Sequence, residues 1–92
     1  MLHSVPWLSV NGNMENPGYN TNVYFCDDGI TFITLDLKPF ASFSVPLGDV
    51  ISFSADDRIT LEITVSGNKK YRINIPDAPA ILNVIRDHGW RM

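Results

Sequence analysis

From Ile59 to Val65 the side chains alternate without a break: Ile59, Leu61, Ile63 and Val65 fall on one face of an extended chain, and Thr60, Glu62 and Thr64 on the other. That pattern predicts a half-buried β-strand. Tyr71, Ile73 and Ile75 repeat it opposite Lys70, Arg72 and Asn74, which predicts the strand that pairs with the first. A two-residue turn at Gly67-Asn68 would set Val65 across from Lys70 and waste a core side chain. Opposing Val65 to Tyr71, Ile63 to Ile73 and Leu61 to Ile75 keeps the apolar sets together. It leaves Gly67-Asn68-Lys69 as a three-residue loop, with Asn68 or Lys69 left-handed.

Upstream, Val23 to Leu35 places Asp28-Gly29 between two β-prone runs. A two-residue type I′ turn there predicts a hairpin in which Cys26 faces Thr31 and Phe25 faces Phe32, with Tyr24 and Ile33 on the other side. Phe40 to Val45 and Asp49 to Ser54 read as two short strands around a Pro46-Leu47-Gly48 corner, with Phe43, Val45, Ile51 and Phe53 turned inward. Val5 to Val10 forms a first strand, which Pro6 confines to an edge or a strand start, and Gly12 to Asn22 reads as a long loop. At the other end the spacing changes to that of a helix over 77–89. Asp77 is placed to cap it, Pro79 sits in its first turn and Gly89 follows its last. Ala78, Ile81, Leu82 and Ile85 make its apolar stripe, Asn83, Arg86 and Asp87 face away, and His88 suits the negative end of the helix dipole.

Ninety-two residues make one domain, 1–92, with residues 1–21 as an N-terminal strand and long loop. The hydrophobic fraction of 45% excludes a disordered chain, and the charged fraction of 18% lies below the roughly 25% of an average domain, so part of the surface is suited to being covered. A net charge of -3 argues against nucleic acid as a partner. The single cysteine, Cys26, excludes an internal disulfide framework and fits a cytoplasmic setting. The N-terminal residues lack the basic start and apolar run of a signal peptide, and no run of 18 apolar residues offers a transmembrane segment.

Seven short strand signals, a long loop after the first and one amphipathic helix at the end resemble a pleckstrin-homology-like (PH-like) domain. The resemblance runs from about Asn22 to Gly89 and is closest to the small bacterial PH-like or GRAM-like group. In that group a hairpin leads to a segment like Val45-Pro-Leu-Gly-Asp-Val-Ile-Ser-Phe53, then to two alternating strands and the helix. It implies a mainly β fold of two packed antiparallel sheets in a partly open β-barrel, with the C-terminal α-helix covering one end. It also implies homo-oligomerisation, since bacterial members assemble into rings. Lipid-binding members hold inositol phosphates with basic residues of the first loop, and here Gly12 to Asn22 contains no Lys or Arg.

Candidate chemistry is sparse. His3 and His88 have no carboxylate or cysteine at metal-ligand spacing, and read as surface histidines. Cys26 precedes Asp27 and Asp28, whose charge raises a thiol pKa and makes a poor nucleophile. Asp27-Asp28 and Asp56-Asp57 offer acid/base or cation-binding carboxylates in principle, but both pairs fall in turns, where Asp bonds its own backbone. Lys69, Lys70 and Arg72, with Arg58 nearby, form the positive cluster. Its functional reading is contact with an acidic partner or anionic lipid, and its structural one a solvated strand face with Arg72 diagonal to Glu62. Trp7, Tyr19, Trp90 and Met92 are either interface anchors or devices that tuck the termini onto the core. The expectation is a noncatalytic module with no catalytic, metal or cofactor site, which binds a protein partner or itself through a strand edge or these aromatic residues. The alternatives are a peripheral lipid-binding domain and, more remotely, a small hydrolase.

Overall fold

A computed structural model describes residues 5–16 and 18–90. His3 and Met92 therefore lie outside the described residues. Among those described, seven strands form one antiparallel sheet: β1 (Leu8–Met14), β2 (Asn20–Cys26), β3 (Gly29–Thr34), β4 (Ala41–Pro46), β5 (Val50–Asp57), β6 (Thr60–Val65) and β7 (Lys69–Asn74). A 3-10 turn, Leu47–Asp49, joins β4 to β5, and one helix, α1 (Ala78–Asp87), follows β7. The mainly β composition and the C-terminal helix are as the periodicity predicts. Among the described residues, no helix is long and apolar enough to cross a membrane.

The strand order is β4-β3-β2-β1-β7-β6-β5, a meander of four joined to a meander of three through β1 and β7. That joint is short, with only Asn13↔Asn74 and Met14↔Ile73 in register. Because β4 and β5 do not pair, the sheet does not close as a barrel. It nevertheless coils strongly. Three strand steps at about 4.8 Å would hold β3 some 14 Å from β7 in a flat sheet, yet the Phe32 and Tyr71 rings lie 5.2 Å apart. Phe25 of β2 and Phe53 of β5, four steps apart, are separated by only 6.3 Å. The two meanders thus face each other across a core of Val23, Phe25, Ile30, Phe32, Leu61, Ile63 and Ile73, all fully buried.

The first strand reaches further than its Pro and Gly content suggests, because β1 continues through Met14 and the predicted loop shrinks to the link between Met14 and Asn20. Gly12 is why the strand survives: a Cβ there would collide with Ile75 Cγ2 and the Asn74 carbonyl and lie 2.8 Å from Ile73 Cγ2. The glycine marks the corner at which β1 meets β7. The Met14 amide donates to the Tyr19 carbonyl at 3.0 Å, closing the link.

Both predicted hairpins form, each with its register displaced by two residues. Phe25 faces Ile30, Val23 faces Phe32 and Cys26 faces Gly29, so Asp27-Asp28 occupies the tip in place of Asp28-Gly29. In the second hairpin Val65 faces Lys69, Ile63 faces Tyr71 and Leu61 faces Ile73, with Ser66-Gly67-Asn68 as the loop and Asn68 left-handed at φ 59°. A displacement of two leaves every side chain on its predicted face. Arg72 consequently sits directly across from Glu62, not diagonal to it.

Val45 and Phe53 are buried as expected; Phe43 stacks on Phe32 but stays 40% exposed, and Ile51 is 49% exposed. For Ile51 the cause is a register shift between Val50 and Ser52 on β5, a bulge that leaves it unpaired and turned out. Ile59, in the turn before β6, is likewise exposed.

The apolar stripe of α1 is as predicted: Ala78 and Ile85 are buried, Ile81 and Leu82 half-buried, and Asn83, Arg86 and Asp87 exposed. The helix packs on β5 and β6. Its start differs from expectation, since Asp77 takes a left-handed conformation (φ 55°) and its carboxylate makes no capping bond. The Ala78 amide instead donates to the Arg58 carbonyl at 2.7 Å, anchoring the helix to the β5–β6 turn. At the other end Gly89 (φ 95°) donates to the Arg86 carbonyl and Trp90 to that of Ile85, a Schellman motif that folds Trp90 back over the sheet.

Candidate functional site

The candidate residues separate into two groups at opposite ends of the β2–β3 hairpin. Trp7 and Trp90 meet beside its tip, edge to face with ring centroids 5.0 Å apart. Trp90 also covers Phe25 and Phe53, at 6.1 and 5.9 Å. His88 stacks flat on Trp7 at 3.7 Å, and its Nε2 lies 3.1 Å from Asp27 Oδ1. His88 is a surface histidine as expected, and its ring also clips α1 to the N-terminal segment and to the hairpin tip. The Trp7 indole N–H is buried and has no partner among the described residues, so stacking holds the ring in place. Both tryptophans tuck their chain segments onto the core.

Next to Trp90 an open apolar groove of about 490 Å³ runs between the 3-10 turn, β5 and the end of the helix, lined by Leu47, Val50, Ile51, Phe53 and Gly89. Leu47 and Ile51 stand there half in solvent, beside the unpaired margin of β5. The bulge that exposes Ile51 depends on how β5 pairs, and alternation alone does not report it.

At the far end Tyr19, Lys69, Lys70 and Arg72 line a second groove of about 420 Å³ with Met14, Glu15, Thr34, Phe43 and Tyr71. Its wall is aromatic, with Phe43 stacked on Phe32 at 4.6 Å and 5.4 Å from Tyr71. Its basic residues are largely compensated. Arg72 donates through Nε to Glu15 at 3.0 Å and through Nη1 to Asp56 at 2.6 Å and Glu62 at 2.8 Å. Those hydrogen bonds, to Asp56 first, then Glu62 and Glu15, raise its pKa further above the ordinary arginine value. Lys70 Nζ lies 3.6 Å from Glu62 Oε1. Arg72 therefore ties the end of β1 to β5 and β6, and three carboxylates compensate Arg72 and Lys70. Glu62 is a cross-strand partner that sequence proximity reveals, whereas Glu15 lies 57 positions away and only the β1–β7 joint brings it in.

Asp56 and Asp57 lie at the end of β5 and not in a turn as expected, and of the two only Asp57 bonds the following backbone, Asp56 being taken by Arg72. Asp57 Oδ1 accepts the Ile59 amide at 2.8 Å, and that bond is the chief reason its pKa is lowered. Cys26 is buried, and its pKa is raised first by that burial and then by Asp28 and Asp27. No group of three metal-ligating side chains occurs among the described residues. No protein-family model matches the chain, and no curated protein matches it.

Proposed function

We propose that the chain is a noncatalytic interaction module of PH-like fold that binds a protein partner, or a second copy of itself, through the open margins of its sheet. The observation that carries this reading is the pair of edge strands, β4 and β5, whose outer margins have no partner among the described residues, each flanked by exposed large apolar side chains: Phe40 and Phe43 along one, Leu47 and Ile51 along the other. An edge strand offers a row of free N–H and C=O groups, and apolar side chains beside it add the area that makes pairing favourable. Support for the PH-like assignment comes from the order of elements, a four-strand meander facing a three-strand one with the helix laid on β5 and β6. A cytoplasmic setting is part of the same reading.

The test is association of the purified chain, followed by light scattering across concentration and by capture of partner proteins. Binding that weakens when Ile51→Asp puts a charge at the β5 edge, or when charge is placed on β4, is the expected result. A chain that stays monomeric and captures nothing would overturn the reading. Anionic lipid is the competing ligand, and the compensation of Arg72 and Lys70 by three carboxylates weighs against it. Flotation with phosphatidylserine vesicles separates the two: salt-sensitive binding that disappears when Lys69 and Lys70 are neutralised favours lipid.

A further inference from the structure

The two edges of the sheet differ in how well they are guarded. Proteins blunt exposed edges with charges, prolines and bulges. The β5 edge has such guards, since its register breaks between Val50 and Ser52 and again between Ala55 and Asp57, and it ends in Asp56-Asp57. The β4 edge lacks them along most of its length. It runs in unbroken register against β3 from Ala41 to Pro46, only its last residue is a proline, and no charged residue occurs from Pro39 to Gly48. Among the described residues it pairs with β3 alone. Phe40 is 62% exposed and Phe43 40%.

The order of residues in β4 is also nearly the same read in either direction: Ala41-Ser42-Phe43-Ser44-Val45. An antiparallel pair of two such strands centred on Phe43 sets Phe43 opposite Phe43 of the second copy, each Ser42 opposite a Ser44, and each Ala41 opposite a Val45. Faces are kept, because residues directly opposite share a side of the sheet. The Phe43 rings, already stacked on Phe32 at 4.6 Å, would then continue as one aromatic row across the junction, with serines paired on the other face. A strand without charge also lets two copies of a chain of net charge -3 approach without like-charge repulsion at the contact.

We infer that β4 is the surface through which two copies of this chain pair, as a two-fold antiparallel dimer centred on Phe43. This rests on the interaction-module reading and names its partner. The contact closes at two copies, because an isologous interface leaves no second face free for the next molecule. One short strand pair with its flanking rings falls toward the small end of biological interfaces, below roughly 1,200 Å², so the dimer is a weak one that depends on concentration.

Sedimentation equilibrium from about 10 μM to about 1 mM, a range suited to weak complexes, tests the pairing with two double variants. Ser42→Lys with Ser44→Lys sets like charges opposite each other twice across the two-fold, whereas Ser42→Lys with Ser44→Glu sets opposite charges there. Both lose the 2.9 Å contact between Thr31 and Ser44 hydroxyls, so their folds suffer alike. The expected result is a dimer whose association falls at least about tenfold further in the first variant than in the second. Phe43→Cys gives a second readout: the two-fold brings its thiol within disulfide reach of its own copy, so diamide oxidation should cross-link it faster than Ser54→Cys on β5. A monomer throughout the range, equal behaviour of the two double variants, species larger than a dimer, or equal cross-linking at both positions overturns the inference. Equal behaviour of the double variants with self-association intact overturns the β4 surface and leaves the module reading standing. Absence of any association, with itself or with other proteins, overturns both.

Discussion

Gly12 has no room for a side chain, because its backbone passes against Ile73, Asn74 and Ile75. Gly12→Ala must therefore move β1 away from β7 or strain both, an overpacking cost of about 1 to 3 kcal/mol or more. For a domain of this size that lowers the melting temperature by several degrees at least. A calorimetric melt within about one degree of the parent would refute the crossing. Asp57 supplies the acid dependence at this scale. Its folded pKa lies below the ordinary aspartate value, chiefly through the Ile59 amide, so it stabilises the fold above the unfolded pKa and loses that contribution as pH falls through the folded one. Asp57→Asn keeps an oxygen for the amide and removes the titration. Urea unfolding between about pH 5 and pH 2, the range over which a carboxylate titrates, should therefore show a shallower acid loss in the variant. Identical slopes would remove Asp57 from the acid limb.

Among the elements, α1 depends most on its end. Gly89 holds φ 95°, which an alanine adopts only under strain, and the turn it makes carries Trp90 back over Phe25 and Phe53. Gly89→Ala should cost about 1 kcal/mol and loosen Trp90, seen as a red shift of tryptophan fluorescence. Unchanged emission would mean that Trp90 is held by its neighbours alone. The stop at Gly89 and the apolar stripe were legible because both are local. The start was not: Asp77 has the residue type of a cap, but it is left-handed, Pro79 offers no amide, the Ala80 amide goes to the Asp77 carbonyl, and the helix is anchored by the Ala78 amide on the Arg58 carbonyl of the β5–β6 turn. Hairpins show the same division. Alternation settles which face each side chain occupies along the paired strands, but it fails at the start of β6, where Ile59 is exposed in the turn and Thr60 is buried. It is blind to displacements of two residues, and turn geometry placed Asp27-Asp28 and Ser66-Gly67-Asn68 at the tips. Bulges escape it as well, and one of them turns Ile51 outward.

At the scale of the molecule, the number of strands, their direction and the single helix could be read from short-range patterns, whereas the grooves could not. Each groove gathers residues from two or more segments far apart in sequence. The basic cluster illustrates the consequence. Lys69, Lys70 and Arg72 stand close together in sequence, but the charge that matters is the sum with Glu15, Asp56 and Glu62, and only the fold supplies Glu15 and Asp56. Trp7 and Trp90 lie far apart in sequence, and neither the tryptophan pairing nor the His88 stack between the segments was legible locally.

The narrow joint between β1 and β7 also bears on how the chain reaches this shape. Every other pairing in the sheet joins neighbours along the chain, and such contacts close small loops quickly. Asn13↔Asn74 and Met14↔Ile73 must instead bring distant parts of the chain together, and the strand joint itself adds only those two residue pairs, the Glu15 amide on the Arg72 carbonyl and the Arg72 bridge to Glu15, so that most of the reward comes from the core the meanders share. The two meanders are thus expected to form early and to dock late, with docking setting the folding rate. In stopped-flow refolding, Arg72→Met, which cuts the bridge, should act mainly on the unfolding arm if docking follows the barrier, and on the folding arm if docking is the barrier. The second outcome is the one this topology predicts, and a change confined to unfolding would place the rate-limiting step within a meander.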